Sequence, residues 1–375
     1  MINKKKVLLA MSGGVDSSVA ALILKKQSYE VMGAFMKNWS DTKNKITGDC
    51  AWREERLMAT RIAAKLDIPL VTLDFEKEYK KQVVDEMFNL YRKGITPNPD
   101  VDCNQKIKFP LLWKAAKKLK ADYISTGHYV RIKNQNKNPE LFRAKDESKD
   151  QSYFLYRISK EDLKHTLFPI GDYTKVQVRE IARKNKFSNY NKKGTVGICF
   201  IGKINLKEFL KKRIPQKKGK ILSPEGEQIG EHDGIYYYTI GQRLGPRYGI
   251  NIDKSKFDDK RNISRWYVAR KDAKTNTIIA APQEHPILYR KEIIIKDFHL
   301  ISEDIIKIKK QAEKKKGIDV LSRIRQVGEL LPSKLMYDKG KFKVTLDKAI
   351  TGISEGQAIV LYQKQKVLGG GVITF

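Results

Sequence analysis

Three short stretches of this chain carry residue types and spacings suited to chemistry. The first is Ser12-Gly13-Gly14-Val15-Asp16-Ser17-Ser18, directly after the apolar run Val7-Leu8-Leu9-Ala10-Met11. Glycines let a backbone bend tightly and come close to a ligand. Successive N–H groups at the start of a helix then point at an anion. The second is Thr96-Pro97-Asn98-Pro99-Asp100-Val101-Asp102-Cys103-Asn104, in which two prolines brace a loop around a cysteine. Lys106 and Lys108 lie close in sequence, and positive surroundings lower a thiol's pKa, so a reactive Cys103 is expected in a polar loop. The third is Gly194-Thr195-Val196-Gly197-Ile198-Cys199-Phe200-Ile201-Gly202, where glycines on both sides of Cys199 predict a segment that turns tightly or moves.

The chain has only three cysteines, Cys50, Cys103 and Cys199. Three cannot form a disulfide framework, and none has a Cys-x-x-Cys zinc spacing. A thiol pair that oxidises here is therefore expected to be catalytic. Sulfur transfer needs one thiol to carry sulfur and another to resolve it. Cys199, among glycines, suits the carrier, and Cys103, in a braced loop, suits the fixed partner. Asp100 can orient a substrate or take a proton from it, and Asn98, Pro99 and Asp100 can hold an extruded base. Cys50 precedes an amphipathic helix and is assigned a structural role.

The elements that must position these groups form an α/β N-terminal region. Lys6–Met11, Tyr29–Met36, Pro69–Phe75 and Asp122–Thr126 read as strands, and Val15, Val19, Leu22 and Ile23 fall on one helical face. Trp52–Leu66 reads as a second helix, and Leu111, Leu112, Ala115 and Leu119 mark a third, with Pro110 in its first turn. Strands separated by helices predict a parallel sheet with ligands at the carboxyl ends of its strands. Beyond residue 205 turn signals become dense and short β runs such as Ile235–Ile240 and Trp266–Arg270 predict a small mixed domain. Further β runs, Glu292–Ile295, Lys341–Leu346, Ala358–Tyr362 and Val367–Ile373, predict a barrel. The expected domains are residues 1–204, 205–279 and 280–375.

The net charge of +32 permits a polyanionic partner such as RNA but does not by itself establish one, since lysine is scattered throughout. No stretch approaches the roughly 18 apolar residues of a membrane span. The lysines and short apolar run at Met1–Met11 are too brief for a signal peptide, so a cytoplasmic location without membrane association is expected.

The first motif lacks the Gly-Lys-Ser/Thr ending of a Walker A loop. It resembles instead the Ser-Gly-Gly-x-Asp-Ser PP-loop of ATP-pyrophosphatases, enzymes that cleave ATP between its α- and β-phosphates and adenylate a substrate oxygen. Together the three motifs closely resemble the tRNA-specific 2-thiouridylase family (MnmA type). Ser125-Thr126-Gly127-His128-Tyr129 resembles the family's second nucleotide-side motif and Lys149-Asp150-Gln151-Ser152-Tyr153-Phe154-Leu155 its substrate-side loop. His232-Asp233-Gly234, Tyr238–Arg243 and Trp266-Tyr267-Val268 fit its central domain. Arg323-Ile324-Arg325-Gln326, Glu355-Gly356-Gln357-Ala358 and Leu368–Ile373 fit its barrel. Asp102, Ile324 and Glu355 depart from the usual pattern, and Ile324 puts in doubt the stacking an aromatic would give between the two arginines.

The resemblance implies ATP and Mg2+ over Ala10, Met11, Ser12, Gly13, Gly14, Val15, Asp16 and Ser17, with Met36 and Gly127. It implies tRNA contacts by Asn98, Pro99, Asp100, His128, Lys149, Asp150, Gln151, Arg323, Ile324 and Gln357. The wobble uridine of tRNAs for Lys, Glu and Gln would be adenylated at its C2 oxygen. It would then receive sulfur from a persulfide on Cys199, with Cys103 resolving the intermediate. A cysteine desulfurase or sulfur-relay protein would load Cys199. Other PP-loop enzymes share the first motif: tRNA lysidine synthetase and small-molecule synthetases of the amidotransferase or argininosuccinate type. None of them needs paired thiols. A non-catalytic RNA-binding protein with a decayed nucleotide fold would have no reason to keep Asp16, Cys103 and Cys199 together.

Overall fold

The computed structural model describes residues 4–375 apart from 41–50, 136, 193, 195–198, 200, 202–204, 247–249, 254, 256, 258–263 and 302. Cys50 and most of the glycine-flanked segment around Cys199 therefore lie outside the described residues.

Val7, Leu8 and Leu9 alternate between the two faces of the N-terminal sheet, and all are buried, as a strand covered on both sides requires. The sheet contains β1 (Lys6–Ala10), β2 (Glu30–Lys37), β3 (Leu70–Asp74) and β4 (Tyr123–Ser125). After a hairpin, β5 (Val130–Lys133) and β6 (Glu140–Arg143), the two-residue β7 (Thr166–Leu167) completes it. The order is β3-β2-β1-β4-β7, and every pairing is parallel. From β1 the chain runs first to β2 and later, in the other direction, to β4. The carboxyl ends of β1 and β4 thus flank the point where strand order reverses, the usual ligand crevice of such a sheet. Helices α1 (Val15–Lys26) and α2 (Ala51–Lys65) follow β1 and β2.

The central sheet has β8 (Gly219–Leu222), β9 (Gln228–His232), β10 (Trp266–Asp272) and β11 (Thr277–Pro282) in the order β10-β11-β8-β9. Two expectations are corrected here. Ile235–Ile240 is not a strand: Ile235–Tyr237 forms a 3-10 turn after Gly234, whose φ of 139° ends the preceding strand. The expected boundary at 279/280 cuts through β11, which pairs with β8 and β10 and so belongs wholly to the central sheet.

The last six strands are β12 (Tyr289–Leu300), β13 (Ile318–Arg323), β14 (Leu331–Asp338), β15 (Lys341–Thr351), β16 (Ala358–Gln363) and β17 (Lys366–Thr374). They pair in the order β12-β15-β14-β13-β16-β17, and β12 also pairs with β17, which closes the barrel. The hairpin β5–β6 joins this sheet through β17, with Lys366 opposite Phe142. A piece of the N-terminal region thereby extends the C-terminal one. No helix among the described residues is long and apolar enough to cross a membrane.

Candidate active site

The loop after β1 turns at Gly13, whose φ is 71°. A Cβ there would meet the Glu55 carbonyl oxygen at 2.3 Å, so α2 packs directly on the turn. The Gly13 carbonyl accepts from Asn189 Nδ2 at 3.0 Å, and Asn189 Nδ2 also reaches Ser18 Oγ at 3.0 Å. Gly14 precedes α1 in extended conformation, and Ser17 and Ser18 hydroxyls donate back to its carbonyl. Ser12 remains exposed at the mouth of the loop, while Met11 and Met36 are buried beneath it. Asp16, in the first turn of α1, accepts from Tyr129 Oη and from Lys175 Nζ, both at 2.7 Å. Gly127, after β4, lies so close that a Cβ would stand 2.8 Å from Ser17 N and 3.0 Å from Asp16 C. The loops after β1 and β4 are thus joined at the strand-order switch. Their position at the start of α1, small residues and paired Asp16–Lys175 suit a nucleotide phosphate chain. Lys175 and Asn189 escaped the sequence reading, because only the fold brings them to the loop, whereas Tyr129 belongs to the expected second nucleotide-side motif.

The cysteine loop is more helical than expected. Asn98 caps a short helix, Pro99–Asp102, by accepting from Val101 N at 3.4 Å. A π-helical turn, Cys103–Lys108, continues it into the helix Phe109–Lys118. Cys103 is therefore not in a polar loop; it is fully buried among Tyr79, Val101, Ile107 and Leu112. Burial in apolar surroundings pushes its thiol well above the ordinary range, with further upward contributions from Cys199. The sulfurs of Cys103 and Cys199 stand 3.8 Å apart. Cys199 itself is held by its backbone: its N–H donates to Asp100 Oδ1 at 2.7 Å, and its carbonyl accepts from Tyr79 Oη at 2.5 Å. Hydrogen bonding from the Cys103 thiol and the charge of Lys108 hold the half-buried Cys199 below the usual thiol range. The lysines also divide differently from expectation. Lys106 pairs with Asp102 at 2.9 Å, whereas Lys108 Nζ reaches Cys199 Sγ at 3.8 Å. Desolvation raises the pKa of Asp100, partly offset by the Cys199 N–H and Lys108.

His128 is buried between Phe109, on which its ring stacks, and Phe168. Burial and then the nearby Lys108 charge push its pKa well down, so it is neutral. The remaining expected tRNA contacts separate into two groups. Lys149 is exposed, and Gln151 holds the backbone of Tyr129 by accepting at 2.9 Å and donating at 3.0 Å. Asp150, Arg323 and Ile324 are buried rather than exposed. The Asp150 carboxylate takes Arg323 at 2.8 Å, Arg143 at 3.3 Å and Ser152 Oγ at 2.9 Å. Gln357 Nε2 donates to the carbonyls of Thr96 and Pro97 at 2.9 and 2.8 Å, so the barrel braces the cysteine loop from behind. Among the described residues no cluster of three or more His, Cys, Asp or Glu could hold a metal.

Comparison with known proteins bears on this arrangement. Residues 5–203 match the family model described as tRNA methyl transferase HUP domain, 207–282 the tRNA methyl transferase PRC-barrel domain, and 290–373 the aminomethyltransferase beta-barrel domain. The tRNA-specific 2-thiouridylase MnmA of Pediococcus pentosaceus is 39% identical over 375 residues, covering 99% of this chain and 95% of that protein. The chain belongs to the tRNA-specific 2-thiouridylase family. The same-named protein of Listeria monocytogenes is 41% identical over 371 residues, covering 98% and 94%, and that of Proteus mirabilis 40% over 373, covering 99% and 97%. Among solved structures, a 4-thiouridine synthetase–RNA complex with bound ATP matches 56% of this chain and 50% of its own, at 18% identity and a TM-score of 0.34. This thiouridylase-family chain is a tRNA-modifying sulfurtransferase of the PP-loop class.

Proposed function

We propose that the enzyme replaces the C2 oxygen of the wobble uridine in tRNAs for Lys, Glu and Gln by sulfur carried on Cys199 and resolved by Cys103. The observation that carries this reading is the 3.8 Å approach of the two sulfurs, one thiol held high and the other low in pKa. A pair so polarised has a nucleophilic end and a proton-bearing end before substrate arrives. ATP would supply the adenylyl group that makes the C2 oxygen a leaving group. Ser12, Gly13, Gly14, Val15, Asp16 and Ser17, with Ala10, Met11, Met36 and Gly127 around them, would hold it. Asp16 would face Mg2+, an ion that commonly binds through one carboxylate and the substrate's phosphates.

Cys199 accepts a sulfur atom from a persulfide donor, a cysteine desulfurase or relay protein. Its terminal sulfur forms the C–S bond as the activated C–O bond breaks. The Cys103 sulfur then attacks the Cys199 sulfur, the S–S bond to the base breaks, and the Cys103 proton passes to the uracil ring. The products are 2-thiouridine and a Cys103–Cys199 disulfide, which a thiol reductant resets. If Cys103 attacks the Cys199 persulfide first, the same disulfide forms and hydrogen sulfide carries the sulfur. Asp100 engages the Cys199 N–H, and with Asn98 and Pro99 at the start of the same short helix would hold the extruded base, with His128, Lys149 and Gln151 around the entry.

Nucleoside mass analysis of tRNA after reaction with ATP, Mg2+ and a persulfide donor tests the reading. Two mass outcomes are decisive: 2-thiouridine at the wobble position supports it, and unmodified uridine despite AMP formation removes it. Absence of AMP would remove the PP-loop step as well.

A further inference from the structure

Lys108 occupies the centre of the thiol site, and the established activity assigns it nothing. It ends the π-helical turn that begins at Cys103. Such a turn, with its i to i+5 spacing, is rare and often marks functional sites. It lets Cys103 and Lys108 reach the same sulfur, one at 3.8 Å from Cys199 Sγ through its thiol and the other at 3.8 Å through its ammonium. On its far side Lys108 Nζ meets His128 Nε2 at 3.4 Å. The other ring nitrogen, Nδ1, is 2.7 Å from Thr126 Oγ1. A neutral His128 that donates from Nδ1 to Thr126 leaves only a lone pair at Nε2, and a lysine N–H is the donor that satisfies it. Lys108 is thus oriented by a histidine that cannot compete with it as an acid.

We propose that Lys108 is the cation that fixes the negative charge on the Cys199 sulfur, as thiolate and then as persulfide, and so leaves the proton on Cys103. This rests on the reading of Cys199 as the sulfur carrier. Among the described residues the charged or titratable groups around Cys199 include Asp100, Tyr79, Cys103 and His128; the Asp100 charge opposes a negative Cys199, while the Cys103 thiol and the Lys108 charge favour it. Asp100, on the cysteine loop, engages the Cys199 N–H and not its sulfur. Tyr79, from the helix beneath, donates to the Cys199 carbonyl and is kept protonated by burial. Cys103 is the donor toward Cys199, and His128 is neutral. Lys108 itself is disfavoured as a cation by burial, yet Cys199, Cys103 and Asp100 together hold it above the ordinary lysine range.

The test is the pH dependence of Cys199 alkylation by iodoacetamide in the full chain, read by peptide mass spectrometry from about pH 6 to about pH 9. It needs neither tRNA nor ATP. Lys108→Met should move the Cys199 midpoint upward by about one unit, an approximately tenfold loss of alkylation rate at neutral pH. Lys108→Arg should retain most of the depression, because charge and not shape is required. Lys108→Gln gives the same upward shift if Lys108→Met does not fold. An unchanged Cys199 midpoint in a folded Met or Gln variant would overturn the proposal, as would equal shifts for Met and Arg. If wild-type protein fails to thiolate tRNA while Lys108→Met still shows the shift, the cation's role stands and the assigned reaction falls.

Discussion

Cys103 and Cys199 are the same residue type separated by 3.8 Å, and their environments set them apart. Complete burial raises one; a thiol donor and a lysine ammonium lower the other. Cys199→Ser should abolish both persulfide acceptance and thiolation. Cys103→Ser should still accept sulfur on Cys199 in a persulfide-trapping assay and then fail to complete the exchange. Full thiolation by either variant, measured as 2-thiouridine per tRNA, would count against the pair. The identity of both cysteines was legible in sequence. Their environment was not, because adjacency in sequence made Lys106 and Lys108 look equivalent neighbours of Cys103. Helical geometry instead sends Lys106 to Asp102 four residues back, and Lys108 across to Cys199.

At the scale of elements, two loops at the carboxyl ends of β1 and β4 form the nucleotide side of the proposed site. Their glycines are required by close approach. In Gly127→Ala the new methyl group would press on backbone atoms of Asp16 and Ser17, which cannot swing away. Overpacking of this kind costs about 1–3 kcal/mol. ATP affinity should fall about tenfold or more by calorimetry, each factor of ten being about 1.4 kcal/mol. Unchanged ATP affinity would separate Gly127 from the nucleotide. Asp16→Ala should lose tRNA-dependent AMP formation while tRNA binding persists in a filter assay. The parallel sheet was readable because Val7-Leu8-Leu9 and its counterparts are apolar runs between helix-length segments. Ile235–Ile240 misled because three consecutive tyrosines have high β propensity. There the turn imposed by Gly234 and packing of Tyr237 in the core prevailed.

At the scale of the molecule, the barrel is tied to the N-terminal region by buried bonds. β6 pairs with β17, Asp150 takes Arg323, and Gln357 braces Thr96 and Pro97. The resemblance implied RNA contacts for the arginine and the glutamine, and nothing in the sequence alone pointed to their partners within the chain. Only the three-dimensional arrangement sets Arg323 on the buried Asp150 carboxylate and Gln357 on the Thr96 and Pro97 carbonyls. Deleting the barrel would therefore strip partners from the cysteine loop as well as remove a surface. A point substitution is the cleaner probe. Arg323→Met leaves the Asp150 charge with one fewer buried partner and should destabilise the protein by about 3–5 kcal/mol in chemical denaturation. A loss below about 1 kcal/mol, the range of exposed pairs, would contradict the buried assignment. The net charge of +32 acts differently. It predicts that tRNA affinity falls steeply with added salt through counterion release, and a flat salt dependence would argue against phosphate contacts.

The central claim is that sulfur passes to uridine at the expense of the two thiols. The most direct measurement is a single turnover with persulfide-loaded enzyme, ATP, Mg2+ and tRNA, without reductant. Disulfide and 2-thiouridine are then quantified in the same sample by mass spectrometry. The account predicts one Cys103–Cys199 disulfide for each 2-thiouridine formed. Thiouridine accumulating while both cysteines remain free thiols would contradict it.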